Sequence, residues 1–306
     1  MKKIIALIVW LIVICGLVSY LASHSGELKK LLHLSVTDIT LLAALFIFTQ
    51  ILNGFKFMLC VGVVGVRMGL WEAFNLANIN TMVNYLPLKG GFFAAAFYLK
   101  NKHSLSYTSF ANITIASQLV LMLTVGFASS LFIIVHYLVK GIFFKWLFLI
   151  FFLIFAASLL GVLIIKRFIK SILYFLSNWE KIKKITIGLN LILSNRPFLI
   201  RLVLLELLII VSMGIRFAVC FKILSFNAPL IVSFLAGSAK ITAMLISIVP
   251  SGLGIAELFA GGVSEMSALG VNIGVYAAAV DRVVSVVALI LISSVSFVSL
   301  YRHKGN

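Results

Sequence analysis

Ile142–Ile165 and Val283–Leu300 are apolar for long enough to cross about 30 Å of hydrocarbon as helices. That length decides the class of fold, because inside a bilayer every backbone amide and carbonyl must be satisfied within the protein. Only helices and closed barrels meet that demand, and no stretch alternates apolar and polar residues as a barrel strand does. The composition agrees, with 63% hydrophobic residues, 11% charged residues and a mean hydropathy of +1.21. The reading is an all-α polytopic membrane protein, a single integral membrane domain over residues 1–306, with about six to eight transmembrane helices.

Two apolar stretches are interrupted, one in each half. The first reads Asn84-Tyr-Leu-Pro87-Leu-Lys89-Gly90-Gly91 and the second Ile248-Val-Pro250-Ser251-Gly252-Leu-Gly254-Ile-Ala-Glu257. Proline removes a backbone donor and glycine lets the chain change direction, so each marks a helix break. Such breaks at matching places in two halves point to a substrate site at the centre of a transporter. Pro87 precedes Gln118 by 31 residues and Pro250 precedes Arg282 by 32, the layout of an inverted pseudo-repeat. The two halves run over about 38–138, with its break at 84–91, and about 197–301, with its break at 248–257.

Along the chain, Lys2 and Lys3 precede a first apolar run at 4–22, longer than a signal-peptide core and read as a retained helix. A second helix is expected at about 38–54, followed by Lys56 and Arg67 on the cytoplasmic side. Residues 72–99 form two short arms around Pro87, which suit a re-entrant hairpin. Helices at about 107–137 and 142–165 lead to a basic loop, 166–196, expected to be cytoplasmic. Within it, Phe168–Leu176 has the spacing of a helix lying on the inner leaflet. Pro197 opens a helix at about 197–222. Arms at 231–249 and 253–269 either each span the membrane or form a second re-entrant hairpin, and a last helix covers about 274–300. Both termini are expected in the cytoplasm.

The net charge of +17 collects at the ends of apolar runs, where it meets anionic headgroups, and no nucleic-acid partner is inferred. Cys15, Cys60 and Cys220 lie in or beside apolar runs and read as small packing residues. Ionisable groups within apolar segments are functional candidates by default. They are Glu206, Arg216, Lys240, Glu257, Asp281 and Arg282, with Lys89 at the first break. Asp281 and Arg282 are adjacent and point about 100° apart on a helix, so they serve different neighbours. Lys89, Lys240 and Arg282, with the amides of Gly90, Gly91, Gly252 and Gly254, form a set suited to a phosphate, helped by helix N-termini just after the glycines. Arg216, Asn84 and Ser251 join the candidate headgroup site, and Gln118 is its polar counterpart in the first half.

These segments, in this order, resemble the lysylphosphatidylglycerol synthase transmembrane-region family. Asn84, Leu86-Pro87, Lys89 and Gly91 match its first motif, and Pro250, Gly252, Gly254, Glu257 and Arg282 its second. The likeness spans roughly residues 5–301. Phe92 stands where the family has glutamate, Ala95 where it has arginine, and Gln118 where it has a charge. The resemblance implies a flippase-like domain in the bacterial cytoplasmic membrane, with an anionic phospholipid or lipid-linked glycan as its partner. It also implies no aminoacyl transfer by this chain. No paired carboxylates, metal-spaced histidines or nucleophile–base sets occur, so no enzyme activity, metal or cofactor is expected. The alternative to transport is a structural or regulatory subunit of an envelope lipid or glycan assembly complex, and either reading allows a homo-oligomer or an envelope-biosynthesis partner.

Overall fold

A computed structural model describes residues 35–85, 90–167, 180–246 and 249–302. The first apolar run, Pro87, Lys89 and the 168–176 segment lie outside the described residues. Among the described residues there are ten α-helices and no strand: α1 Val36–Gly62, α2 Leu70–Val83, α3 Gly90–His103, α4 Tyr107–Lys140, α5 Lys145–Arg167, α6 Glu180–Ser194, α7 Arg196–Ile223, α8 Leu230–Ile246, α9 Ile255–Met266 and α10 Val271–Arg302. Five of them (α1, α4, α5, α7 and α10) are long and apolar enough to cross a membrane. The protein is a multi-pass, all-α membrane protein.

The interrupted stretches are interrupted helices. Around the first break, α2 and α3 have 14 residues each, so each reaches only about 21 Å. Around the second, α8 has 17 residues and α9 has 12, below the roughly 20 that a full crossing needs. Pro250–Gly252 forms a single 3₁₀ turn between them, in which Ser251 adopts a left-handed conformation (φ 48°, ψ 24°). Ordinary residues pay about 1–2 kcal/mol for that region, which the contacts of this turn must offset.

Local signals end the long helices. The Ser106 hydroxyl accepts the Ser109 amide at 3.1 Å to open α4, and Gly141, left-handed at φ 71°, closes it by donating to the Tyr137 carbonyl at 2.8 Å. The Asn195 side chain accepts the Phe198 amide at 3.2 Å, capping α7 one residue ahead of the expected start. Helix α1 runs eight residues past its expected end. The reason is Lys56, read as a charge outside the helix, which instead lies within α1 with its ammonium 2.6 Å from the carboxylate of fully buried Glu206. A charge paired in this way does not have to leave the apolar layer.

The described residues divide into two compact units. One comprises residues up to Gln50, Asn78–Phe93 and Ile210 onward; the other comprises Ile51–Ala77 and Ala94–Ile209. In the first, α8 packs on α9 and α9 on α10. Ala260 and Ser264 of α9 meet Gly274 of α10, Gly261 meets Val271 and Val275, and Ala260, Gly261, Ser264 and Gly274 are all buried. Small residues let helix backbones approach closely where lipid offers no hydrophobic drive between helices. In the second unit, α4, α5 and α6 pack together, with Gly126 of α4 against the Phe155 backbone of α5. Only 11% of the most apolar window of α5 is buried, so this helix offers its surface to lipid.

A methyl group at Gly274 would overlap the Ala260 carbonyl and the Ser264 hydroxyl, whereas one at Gly262 would meet nothing within 4 Å. Gly274→Leu is therefore expected to cost about 1–3 kcal/mol through overpacking and Gly262→Ala close to nothing. The thermal midpoints of the two detergent-solubilised variants, followed by size-exclusion chromatography after heating, check this.

Candidate functional site

Among the described residues, the first unit holds four buried charges, Arg216, Lys240, Glu257 and Asp281, and a half-buried one, Arg282, in two linked sets. Asp281 on α10 accepts Arg216 Nε at 2.7 Å and Arg216 Nη2 at 2.8 Å, a bidentate pair, and Lys240 Nζ of α8 at 2.5 Å. Ser285, one turn on, accepts from the Arg216 guanidinium and donates to the Asp281 carbonyl at 2.5 Å. Arg216, Lys240 and Asp281 are only 3%, 5% and 1% exposed. Phe46 lies under the guanidinium at 5.3 Å and Phe217 under the ammonium at 5.8 Å, each ring face adding attraction for its cation.

The second set holds the break. Arg282 pairs with Glu257 of α9, Nη2 lying 3.1 Å from Oε2, and also reaches the Gly252 carbonyl at 3.4 Å. The other duty of the Glu257 carboxylate is local: it accepts the Gly254 amide at 2.8 Å, a glutamate at N3 turned back onto the cap amide of its own helix. Gly254 takes φ 80° and Gly252 φ 64°, conformations open to glycine at little cost. Since Asp281 and Arg282 are neighbours on α10, one turns toward α7 and α8 and the other toward the break and α9. The two sets together hold three cations against two carboxylates.

The two breaks meet. The Ser251 amide donates to the Asn84 carbonyl at 3.1 Å, and the Asn84 side chain accepts the Gly91 amide at 3.1 Å. One asparagine thus caps α3 and holds the turn before α9. A Cβ at Gly91 would collide with the Asn80 carbonyl, which explains glycine at that position. Tyr85, the residue after Asn84, packs with Met82 against Phe46, Ala288 and Leu289.

The structure therefore gathers Asn84, Gly91, Arg216, Lys240, Ser251, Gly252, Gly254, Glu257, Asp281 and Arg282 within one unit, where Gly90 opens α3. Pro250 begins the 3₁₀ turn. Gln118 belongs to the other unit and is exposed on α4. Lys89 and Pro87 fall outside the described residues. Sequence reasoning missed Ser285, Phe46 and Tyr85. Of these only Ser285 left a signal, its position one turn after a buried aspartate.

It also missed a polar cluster in the second unit. Glu72 of α2 accepts from Tyr98 at 2.8 Å, lies 2.8 Å from His103 Nε2 and is 3.1 Å from the Lys102 ammonium, all on α3. The signal was there, because folding the chain back about Pro87 sets residue 72 beside residue 103. This cluster lies outside the long spans. Burial pushes the Glu72 carboxyl up, but the bonds from His103, Tyr98 and Lys102 outweigh it and hold it below its ordinary value.

The all-helical fold, its broken helices and its paired intramembrane charges define a multi-pass membrane domain of the kind built around discontinuous helices. Residues 4–293 match the family described as the lysylphosphatidylglycerol synthase TM region, and the chain belongs to that family. No curated protein and no solved structure matches it.

Two outcomes follow from these clusters. Asp281→Asn leaves Arg216 and Lys240 buried without a countercharge and is expected to cost about 3–5 kcal/mol, read as a fall in the thermal midpoint; adding Lys240→Met should recover part of it. Glu72 is favoured as a carboxylate in the folded state, so its contribution is full above its ordinary pKa and disappears as pH falls through the lowered folded value. Hydrogen exchange at Tyr98–His103 is expected to rise below about pH 4, and Glu72→Gln should remove that pH dependence.

Proposed function

We propose that this protein moves a lipid with an anionic headgroup, a phospholipid or a polyisoprenoid-linked lipid, across the bacterial cytoplasmic membrane. The observation that carries the reading is the hydrogen bond between Ser251 and Asn84, which joins the two helix breaks beside a buried surplus of positive charge. Discontinuous helices meeting at such a point are the usual setting of a transported substrate. In this reading, the headgroup phosphate competes with Glu257 for Arg282 and takes a bidentate bond from the guanidinium. Arg216 and Lys240, only partly compensated by Asp281, bias the region toward an anion. Gly252 and Gly254 let an anion approach the backbone closely, and Gly90, Gly91 and Lys89 are assigned to the same site at the first break.

The arms α2–α3 and α8–α9 are read as hairpins entering from opposite faces, related as an inverted repeat, with both termini and the basic 166–196 loop in the cytoplasm. Alternating movement of the two halves would carry the headgroup through while the acyl chains stay in lipid. A second reading, a non-transporting subunit of an envelope lipid or glycan assembly complex, is favoured by one observation. Each of these five charges already has a partner within the protein, as a scaffold requires.

The test is a headgroup-accessibility assay in liposomes, with fluorescent phosphatidylglycerol and a short polyprenyl-phosphate sugar side by side. Wild type is expected to accelerate flipping of one of them, and Arg282→Ala to slow it by at least about tenfold, the loss of one charge-assisted pair. If correctly inserted wild type accelerates neither, the subunit reading takes over.

A further inference from the structure

The second unit carries a groove that the translocation reading leaves unused. Its volume is about 710 Å³, with Phe55, Met58 and Leu59 of α1 on one wall and Phe198, Leu204 and Leu205 of α7 on the other. Gly62 and Arg201 also line it. The volume is that of a site for a drug-sized ligand. The Lys56–Glu206 ion pair ties α1 to α7 within the span of these walls, so the groove is bounded by a fixed contact.

Three observations define the occupant. The α7 lining runs from Pro197 to Leu205, about 12 Å along the helix, close to half of the roughly 30 Å hydrocarbon core and so to one leaflet. Arg201 is exposed and has no ion-pair or hydrogen-bond partner among the described residues. Among the described residues no carboxylate lines the groove, so the ammonium of a zwitterionic headgroup finds no counterpart among them. The first turn of α7 does not itself offer a free amide at Phe198, which Asn195 already holds, and the charge of Arg201 remains as the recognition element.

We propose that this groove holds one anionic glycerophospholipid of the surrounding bilayer, its phosphate on Arg201 and one acyl chain lying between α1 and α7. The lipid is a resident ligand and not the transported one: the buried charges of the translocation reading all belong to the other unit. On the orientation proposed above, the site opens to the inner leaflet, where α7 emerges from the basic loop. A guanidinium at the boundary of headgroups and acyl chains binds phosphate through paired donors, and the apolar walls retain the chain by its buried methylenes.

The experiment is native mass spectrometry of the full chain in mild detergent, titrated with dioleoyl-phosphatidylglycerol or dioleoyl-phosphatidylcholine. Wild type is expected to retain one phosphatidylglycerol in preference to phosphatidylcholine. Arg201→Ala should weaken that adduct about tenfold and remove the preference. Gly62→Phe should remove the adduct, since the added ring enters open space where a Cβ meets nothing within 4 Å. Arg282→Ala should keep the adduct, so failure here is distinct from failure of the translocation reading. Equal binding of the two lipids by wild type overturns the proposal, as does an adduct unchanged in Arg201→Ala. Loss in Arg282→Ala with retention in Arg201→Ala also overturns it, placing the lipid in the charged core; because Arg201 is exposed, its variant decides the matter even if Gly62→Phe fails to fold.

Discussion

The carboxylate of Asp281 is the interaction on which the first unit depends. It accepts the Arg216 guanidinium through both oxygens and the Lys240 ammonium through one of them, and so binds α7, α8 and α10 together without any hydrophobic drive. Removing two cations and an anion from water is expensive, and their attraction repays the cost only when geometry and hydrogen bonding are complete. Here the remaining capacity of the guanidinium goes to Ser285, and both cations rest against aromatic rings. Such an arrangement fixes the helices in one register more than it stabilises them, because apolar residues of the same volume would hold them about as well.

With those helices fixed, the break at Val249–Gly254 can be irregular. Its carbonyl and amide groups find partners in Arg282, Glu257 and Asn84, which is the condition for non-helical backbone within a membrane protein. Glu257 serves its own helix and Arg282 at once, while Asn84 serves both breaks. On the proposed reading, an anion that draws Arg282 away would therefore free the Gly252 carbonyl and leave Glu257 to the cap of α9 alone. The Gly252 carbonyl and the Gly254 cap are coupled at this point by shared groups.

Much of this was legible in the sequence. The long spans follow from uninterrupted apolar length, and the breaks from Pro87, Pro250 and the glycines around them. The separate directions of Asp281 and Arg282 follow from the helical period alone. What could not be read is which charge meets which, since pairing between α7, α8 and α10 depends on packing that a single chain of letters does not encode. Lys56 shows the same limit. As a lone lysine after an apolar run it reads as the end of a helix, and only the tertiary position of Glu206 turns it into an interior residue of α1. The Glu72 cluster was recoverable in principle, by folding the chain about Pro87, but its members are unremarkable taken one at a time.

The adjacency of Asp281 and Arg282 also restricts how α10 can move. Each of the two anchors a different side of the same helix, so rolling α10 about its axis by one residue, about 100°, would break both attachments together. Sliding along the axis by much less than a turn, or tilting about the level of these two residues, leaves both within reach of long, flexible partners. Helix α10 is therefore held against rolling while tilt remains open to it, and the close seat of Gly274 against α9 ties α9 to the same restriction.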